Sequence, residues 1–220
     1  SYTNWMSLHA GYLYDCKAIE EKKNEELKAL EFENACSDMF NLKALYKRLD
    51  MSLLPCADRV AQLKGMLSFD LLSAEHLRLQ VAGLYKHSEK VQIDEKNMLT
   101  WLILNKIEID KTPGLRTKYN EGDAKKAACD LSELANRGCL SVGAIKELLN
   151  RYGIQYIHVE NIDKTPIDAF STIVNEHPVI AVTYRYNDMD KLAFDILHEL
   201  CHIDRHFGSD QTAFISIDGL

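Results

Sequence analysis

The chain has 220 residues, of which 46% are hydrophobic, 27% charged and 9% aromatic, a composition typical of a globular protein with one or two domains. There are 26 Lys and Arg against 33 Asp and Glu, and this net charge of −7 argues against a nucleic-acid-binding surface on these residues. The longest apolar runs, at residues 101–104 and 179–182, are far shorter than the roughly 20 residues that span a bilayer, so no membrane partner is expected.

Two features of the sequence bear on the cellular compartment. The sequence does not open with a charged segment followed by an apolar stretch, so no secretion signal is predicted. The six cysteines form no Cys-x-x-Cys pair, and a chain of this length does not need disulfide bonds to fold. The sequence therefore predicts reduced thiols and a cytoplasmic protein.

The first half of the chain is predicted to be helical. Residues 19–32 are rich in Glu and Lys at helical spacing, such as Lys22 with Glu26, which is typical of a solvated helix. Apolar residues recur at helical spacing over residues 41–49, 56–69 and 94–109, and a further short helix is predicted to begin at Ser73. Pro113 and Gly114 then interrupt the pattern, and we place a domain boundary at residue 115.

Beyond this boundary the sequence predicts helices followed by a small sheet. Helices are expected over residues 122–136 and 142–152, the second ended by Gly153 as a C-terminal cap. Strands are indicated over residues 154–159, 168–173 and 179–184, with a turn at Asn175 and Glu176. A final helix of about 17 residues begins after Asn187. The expected fold is α+β and predominantly helical, with an antiparallel three-stranded sheet.

The last predicted helix carries the sequence His198-Glu199-Leu-Cys-His202. Residues four apart on a helix differ by about 40° in direction and about 6 Å in rise, so His198 and His202 share one face and can bind one zinc ion. Glu199 lies about 100° further round, where its carboxylate can accept a proton from a water whose pKa the metal lowers. The sequence predicts metal binding by the two histidines and base catalysis by Glu199, with a structural pair of imidazoles as the alternative.

Three segments that include this motif resemble the ImmA/IrrE metallopeptidase family. They are Tyr-Gly-Ile-Gln-Tyr-Ile-His-Val at residues 152–159, His-Pro-Val-Ile-Ala-Val-Thr-Tyr-Arg-Tyr at 177–186, and residues 192–203 around the two histidines. Members have a helix, a three-stranded meander and an HExxH helix in this order, and Cys201 stands at a variable position where several have Gly. The resemblance implies a zincin-like metallopeptidase domain over residues 116–220, with zinc as cofactor and a partner protein as the substrate of an endopeptidase.

The upstream residues resemble a regulator of the kind fused to such domains. Trp5, Leu8 and Tyr12 are similar to the end of the helix-turn-helix domain in plasmid-maintenance antitoxins of the HigA type. The helical linkers of these fusions have residues similar to those at 86–91, 101–102, 106–108 and 119. The resemblance implies a helical linker region over residues 1–115, in which residues 1–15 end a helix-turn-helix domain that precedes Ser1. DNA would be bound, for transcription regulation, only through that preceding domain.

The resemblance also implies a third metal ligand, an Asp or Glu about 25 to 30 residues after His202 and thus past the end of the sequence. We therefore expect the peptidase domain to be cut before this ligand, and the 220-residue chain to bind zinc weakly or not at all. Within the chain, the residues that could serve instead as the third metal ligand are His206, Asp210 and Asp218. On an unbroken helix, however, His206 lies about 12 Å along the axis from His198, too far to share one ion.

A second function belongs to a different class of protein. The same fold can act as a non-catalytic sensor or antitoxin module that binds a toxin or another ligand. A carboxylate about 25 residues after His202 would favour the peptidase, because a catalytic zinc ion needs three protein ligands and an open position. Its absence would favour the binding module.

Overall fold

The computed structural model of the chain describes residues 2–66, 94–165, 167–183, 188–206 and 213–217. Its elements, in chain order, are α1 (Tyr2–Ser37), α2 (Leu42–Arg48), α3 (Cys56–Met66), α4 (Glu95–Lys111), α5 (Asp123–Asn136), α6 (Val142–Arg151), β1 (Gln155–His158), β2 (Ile167–Val174), β3 (His177–Val182), α7 (Met189–His206) and β4 (Ala213–Ile217). The described chain is mostly helical with a small mixed sheet, which confirms the α+β class. The short helix predicted from Ser73 lies outside the described residues.

The chain divides into two compact units, Ser1–Asp70 and Leu71–Leu220. The first unit contains α1 to α3, and the second contains the remaining helices and the sheet. Pro113 and Gly114, on which the predicted boundary rested, lie inside the second unit after α4. The division of residues 1–115 and 116–220 into regions of different function stays a prediction. In the part of the chain that the structure describes, we find no helix long and apolar enough to cross a membrane.

An ion pair joins α1 to α3 in the first unit. The Arg59 guanidinium donates hydrogen bonds to both carboxylate oxygens of Glu33, at 2.9 and 3.0 Å, and a third to the Leu54 carbonyl oxygen at 2.7 Å. It also lies over the ring of Tyr46, 5.1 Å from the centroid. Burial by itself would raise the pKa of Glu33, but the hydrogen bond from Arg59, with contributions from Tyr46 and Cys56, lowers this pKa below its ordinary value.

Glu33→Gln is expected to lower the free energy of unfolding by about 2 kcal/mol at pH 7, because it removes a charged acceptor from a largely buried guanidinium. Since the pKa of Glu33 is lower in the folded protein than in the unfolded chain, where it is about 4.3, the stabilisation is present above that value. It is lost as the pH falls through the folded pKa. Urea denaturation from pH 7 down to about pH 3 should show the two proteins converging.

Glu21→Gln is the matched control for this measurement. Glu21 also lies on α1, but its side chain is 66% exposed and its nearest contact with Lys17 is 3.9 Å long. Exposed pairs of this kind contribute little to stability, so the control should match the wild type at every pH. A stability gap between wild type and Glu33→Gln that persists undiminished at pH 3 would contradict the role of the ion pair.

The second unit is built around a four-stranded sheet in the order β1-β3-β2-β4. β2 pairs antiparallel with β3 and with β4, whereas β1 pairs parallel with β3. The predicted turn at Asn175 and Glu176 joins β2 to β3, and both residues have positive φ, at 49° and 66°. The prediction of a purely antiparallel meander is wrong at β1. The connection from β1 to its parallel neighbour β3 includes β2 and exceeds the roughly dozen residues that such a connection needs, and β3 lies between β1 and β2.

Helices cover both faces of this sheet. On one face α4 contributes Trp101, whose ring packs edge-on against Phe170 of β2 with the ring centroids 6.0 Å apart. The Trp101 Nε1 also donates a hydrogen bond to the Val159 carbonyl oxygen at 3.0 Å. On the other face, α5, α6 and α7 enclose a core with the inward residues of the strands, which include Ala169 and Ile180. The final helix is thus fixed directly over the sheet.

Candidate functional site

The predicted motif lies on a continuous helix with a buried side. α7 runs from Met189 to His206, and its core side is formed by residues that are at most 3% exposed: Leu192, Ile196, Leu200 and Ile203. Their spacing of three or four residues places them on one side of the helix. This packing fixes the rotation of α7 about its own axis, because any rotation would expose these apolar residues. The directions of the other side chains of α7 are therefore fixed as well.

The two histidine side chains meet on the outer side of α7. Their Nε2 atoms are 3.0 Å apart, and the ring centroids are 4.7 Å apart with the planes at 74°. His198 is exposed and His202 is half-buried. The structure thus brings together the two residues that the sequence predicts as ligands.

The separation of the two nitrogens is compatible with one zinc ion. Zinc binds imidazole nitrogen at about 2.0–2.1 Å, so two ligands at a tetrahedral angle lie roughly 3.3 Å apart. The observed distance of 3.0 Å needs only a few tenths of an ångström of opening. The same distance also suits a hydrogen bond between two neutral imidazoles, in which one Nε2 donates and the other accepts. Within the described ranges, no third His, Cys, Asp or Glu completes a metal-binding group with this pair.

Glu199, the predicted base, is directed towards the sheet. Its side chain is fully buried, and the Ser171 hydroxyl of β2 donates to its Oε2 at 2.6 Å. Ser171 is itself fully buried and shares a face of β2 with Ala169, because alternate residues of a strand share a face. Sequence reasoning missed Ser171. The available signal was a small polar residue alternating with Ala169 on a strand that faces a buried helix.

An ion-pair group ties the beginning of α7 to β2. The Lys191 ammonium binds the buried carboxylate of Asp168 at 2.9 Å and approaches Asp195 at 3.5 Å. Asp168 is on β2, three residues before Ser171. Two polar contacts thus join α7 to β2, the Lys191–Asp168 ion pair and the Ser171–Glu199 hydrogen bond. Together they fix the distance of α7 from the sheet, and with it the position of the histidine pair.

The structure also shows how far His206, one of the alternative third ligands, lies from the histidine pair along α7. Because α7 is continuous from His198 to His206, the eight-residue separation amounts to about 12 Å along the axis, as the sequence argument assumed. The backbone therefore does not bring His206 to the pair. The side chain of His206 lies outside the described part of the chain, as do Asp210 and Asp218.

A separate surface cavity of about 670 Å³ lies at α5 and α6. Its lining includes Leu134 and Leu148 with the polar side chains of Thr117, Glu147 and Arg151. None of the described lining residues belongs to α7. This cavity is distinct from the histidine pair, and sequence reasoning gave no sign of it.

Comparisons of the chain with protein-family models, with curated proteins and with solved structures found no match. The resemblance to the ImmA/IrrE family rests on the residues quoted above, and so does the resemblance to the HigA type of antitoxin. Family membership, the zincin-like character of residues 116–220 and the preceding helix-turn-helix domain stay predictions.

Proposed function

We propose that α7 carries the zinc site of a peptidase that cleaves a partner protein. One observation supports this proposal above all: two imidazole nitrogens lie 3.0 Å apart on the outer side of a buried helix. Two neutral imidazoles with this spacing are a ligand pair that zinc prefers. His198 and His202 are the metal ligands in this proposal, and Glu199 is the general base.

The roles of the chain's own residues follow from their contacts. His198 and His202 would hold zinc through Nε2, and zinc, when bound, would act as a Lewis acid that lowers the pKa of water towards about 7. The Ser171 hydroxyl donates a hydrogen bond to the Glu199 carboxylate, which holds that carboxylate against β2 on the buried side of α7. To act as a base, the carboxylate must also reach water, so rotation of the Glu199 side chain is part of the proposed reaction.

The burial of Glu199 supports the second candidate function, a non-catalytic sensor or antitoxin module. In that function the carboxylate stabilises the contact between α7 and β2, and the histidines form a structural pair. The partner is then a toxin or another ligand bound by the fold. DNA, in either function, is bound through the preceding domain that the resemblance implies.

Metal binding is the experiment that tests the proposed site. We expect the metal-free chain to bind Co²⁺ or Zn²⁺ weakly, since two imidazoles leave the coordination shell incomplete. His198→Ala and His202→Ala should each weaken binding at least about tenfold, measured by cobalt absorption and by equilibrium dialysis with zinc. His9→Ala, on α1 of the first unit, is the control and should bind like the wild type. Unchanged binding in both motif variants would contradict the metal site.

A further inference from the structure

The first half of α1 exposes a row of large apolar side chains. Tyr2 is 77% exposed, Trp5 59%, Tyr12 65% and Ile19 57%. Together with His9 and Cys16, which lie between them, we call these residues the α1 stripe. Met6, Leu8 and Leu13 flank the stripe and are 47%, 75% and 54% exposed. So large an exposed apolar surface on one helix marks an interaction site.

The α1 stripe does not lie on the side of α1 that packs within the first unit. That packed side is marked by the buried residues Ala29 and Cys36 and by Glu33, which pairs with Arg59. At about 100° per residue, the middle of the stripe points about 130° from Ala29, about 150° from Cys36 and about 90° from Glu33. The packing that buries Ala29 and Cys36 leaves the large apolar residues of the stripe exposed.

The spacing of the α1 stripe fits another helix of the same period. Residues 2, 5, 9, 12, 16 and 19 are separated by alternating steps of three and four, which is the a/d pattern of a coiled coil. Residues 2–14 contain no Asp, Glu, Lys or Arg. The stripe thus offers no cation to nucleic acid or to an anionic membrane surface, while two copies of it meet without repulsion between like charges.

We propose that two copies of this chain associate through an antiparallel pairing of their α1 stripes. With the twofold axis between residues 10 and 11, Tyr2 of one copy meets Ile19 of the other, Trp5 meets Cys16 and His9 meets Tyr12. Every layer of the seam then lies within the stripe. Such a contact is isologous and closes as a dimer.

Parallel pairing fits the sequence less well. Continued along the same period, it places Lys23 against Lys23 and Glu26 against Glu26 in successive layers of the seam. In the antiparallel register the layers from Tyr2 to Ile19 bring no like charges together. The charge pattern therefore favours the antiparallel arrangement.

The available area is close to what a specific dimer needs. From their exposed fractions, the large apolar residues of the stripe and its flanks offer roughly 700 Å² per copy, against about 800 Å² per partner in a typical stable interface. Pairing also explains how the first half of α1 stays helical, because a helix without tertiary contacts is only marginally stable in water.

Sedimentation of the 220-residue chain from about 1 to about 100 μM tests the proposal. The chain has a mass of 25.1 kDa, so a dimer of 2 × 25.1 = 50.2 kDa is expected. Tyr12→Lys places an ammonium group beside His9 of the other copy and should raise the dimer dissociation constant at least about 100-fold. Tyr14→Lys is the matched control, because Tyr14 is 75% exposed on the opposite side of α1; it should leave the dimer intact. Circular dichroism checks that both variants keep their helix content.

Disulfide cross-linking tests the orientation of the pair, in a background where Cys129, Cys139 and Cys201 are replaced by Ser. Trp5→Cys should give a covalent dimer with Cys16 of the other copy. Cys16 alone should not, because the two Cys16 residues lie about 16 Å apart in the antiparallel pair. Cross-linking between native Cys16 residues would overturn the antiparallel arrangement. A monomer at all concentrations, or equal loss of the dimer with Tyr14→Lys, would overturn the proposal and leave the stripe for another occupant, such as the preceding domain that the resemblance implies.

Discussion

In a protein that also carries the third metal ligand implied by the resemblance, Glu199→Gln is expected to reduce peptide cleavage at least about 100-fold while bound zinc changes little. Gln keeps the length of the side chain, and its amide oxygen can still accept the hydrogen bond from Ser171, but it cannot take a proton from water. His198→Ala should lose zinc as well as cleavage, because it removes a ligand. The readouts are bound zinc, melting temperature, and cleavage of a pooled peptide library followed by mass spectrometry with zinc in excess.

The structural role of Glu199 predicts a different pattern across the same readouts. In that case both Glu199→Gln and Ser171→Ala lower the melting temperature, the second by removing a buried hydroxyl donor worth about 2 kcal/mol, and zinc affects no readout. Asp204→Asn, an exposed acid on α7, is the control and should match the wild type throughout. Equal activity in wild type, Glu199→Gln and His198→Ala would contradict the peptidase and favour the binding module.

The features that could be predicted from the sequence are those decided by near neighbours in the chain. The 3.6-residue period gave the helices over residues 42–48, 95–111 and 142–151 to within a few residues. The two histidines meet because residues four apart on any helix are neighbours. The turn at Asn175 and Glu176 likewise follows from the two residues that form it and their flanking strands.

Features that depend on distant contacts could not be predicted. The parallel pairing of β1 with β3 depends on where a long connection crosses, and β4 was missed because it adds to the sheet only through its contact with β2. Ser171 and Glu199 are 28 residues apart, so their hydrogen bond requires the packing of α7 on β2. The sequence pattern placed a helix over residues 19–32, whereas α1 begins at Tyr2.

Gly153→Ala is expected to lower the free energy of unfolding by about 3 kcal/mol or more. The sequence predicts Gly153 as a helix cap, and its φ of +71° agrees with that role. The structure adds a close approach, because a Cβ at this position would lie 2.5 Å from the backbone nitrogen of Tyr119 and 2.7 Å from the carbonyl carbon of Lys118. Backbone atoms cannot rotate away as a side chain can, so the segment carrying Tyr119 must shift away from the end of α6.

Gly138→Ala separates the cost of the close approach from the cost of the backbone conformation. Gly138 has a similar φ of +66°, but a Cβ there would meet nothing within 4 Å, so about 1 kcal/mol is expected for the left-handed conformation alone. Urea denaturation of the two variants measures the difference, and equal losses would contradict the close approach.

Gly153 immediately precedes the segment that leads into β1, the edge strand beside β3. The larger loss of stability should therefore be accompanied by earlier unfolding of the sheet that supports α7. Hydrogen exchange of the β1 amides in Gly153→Ala, compared with Gly138→Ala, should show this as faster exchange.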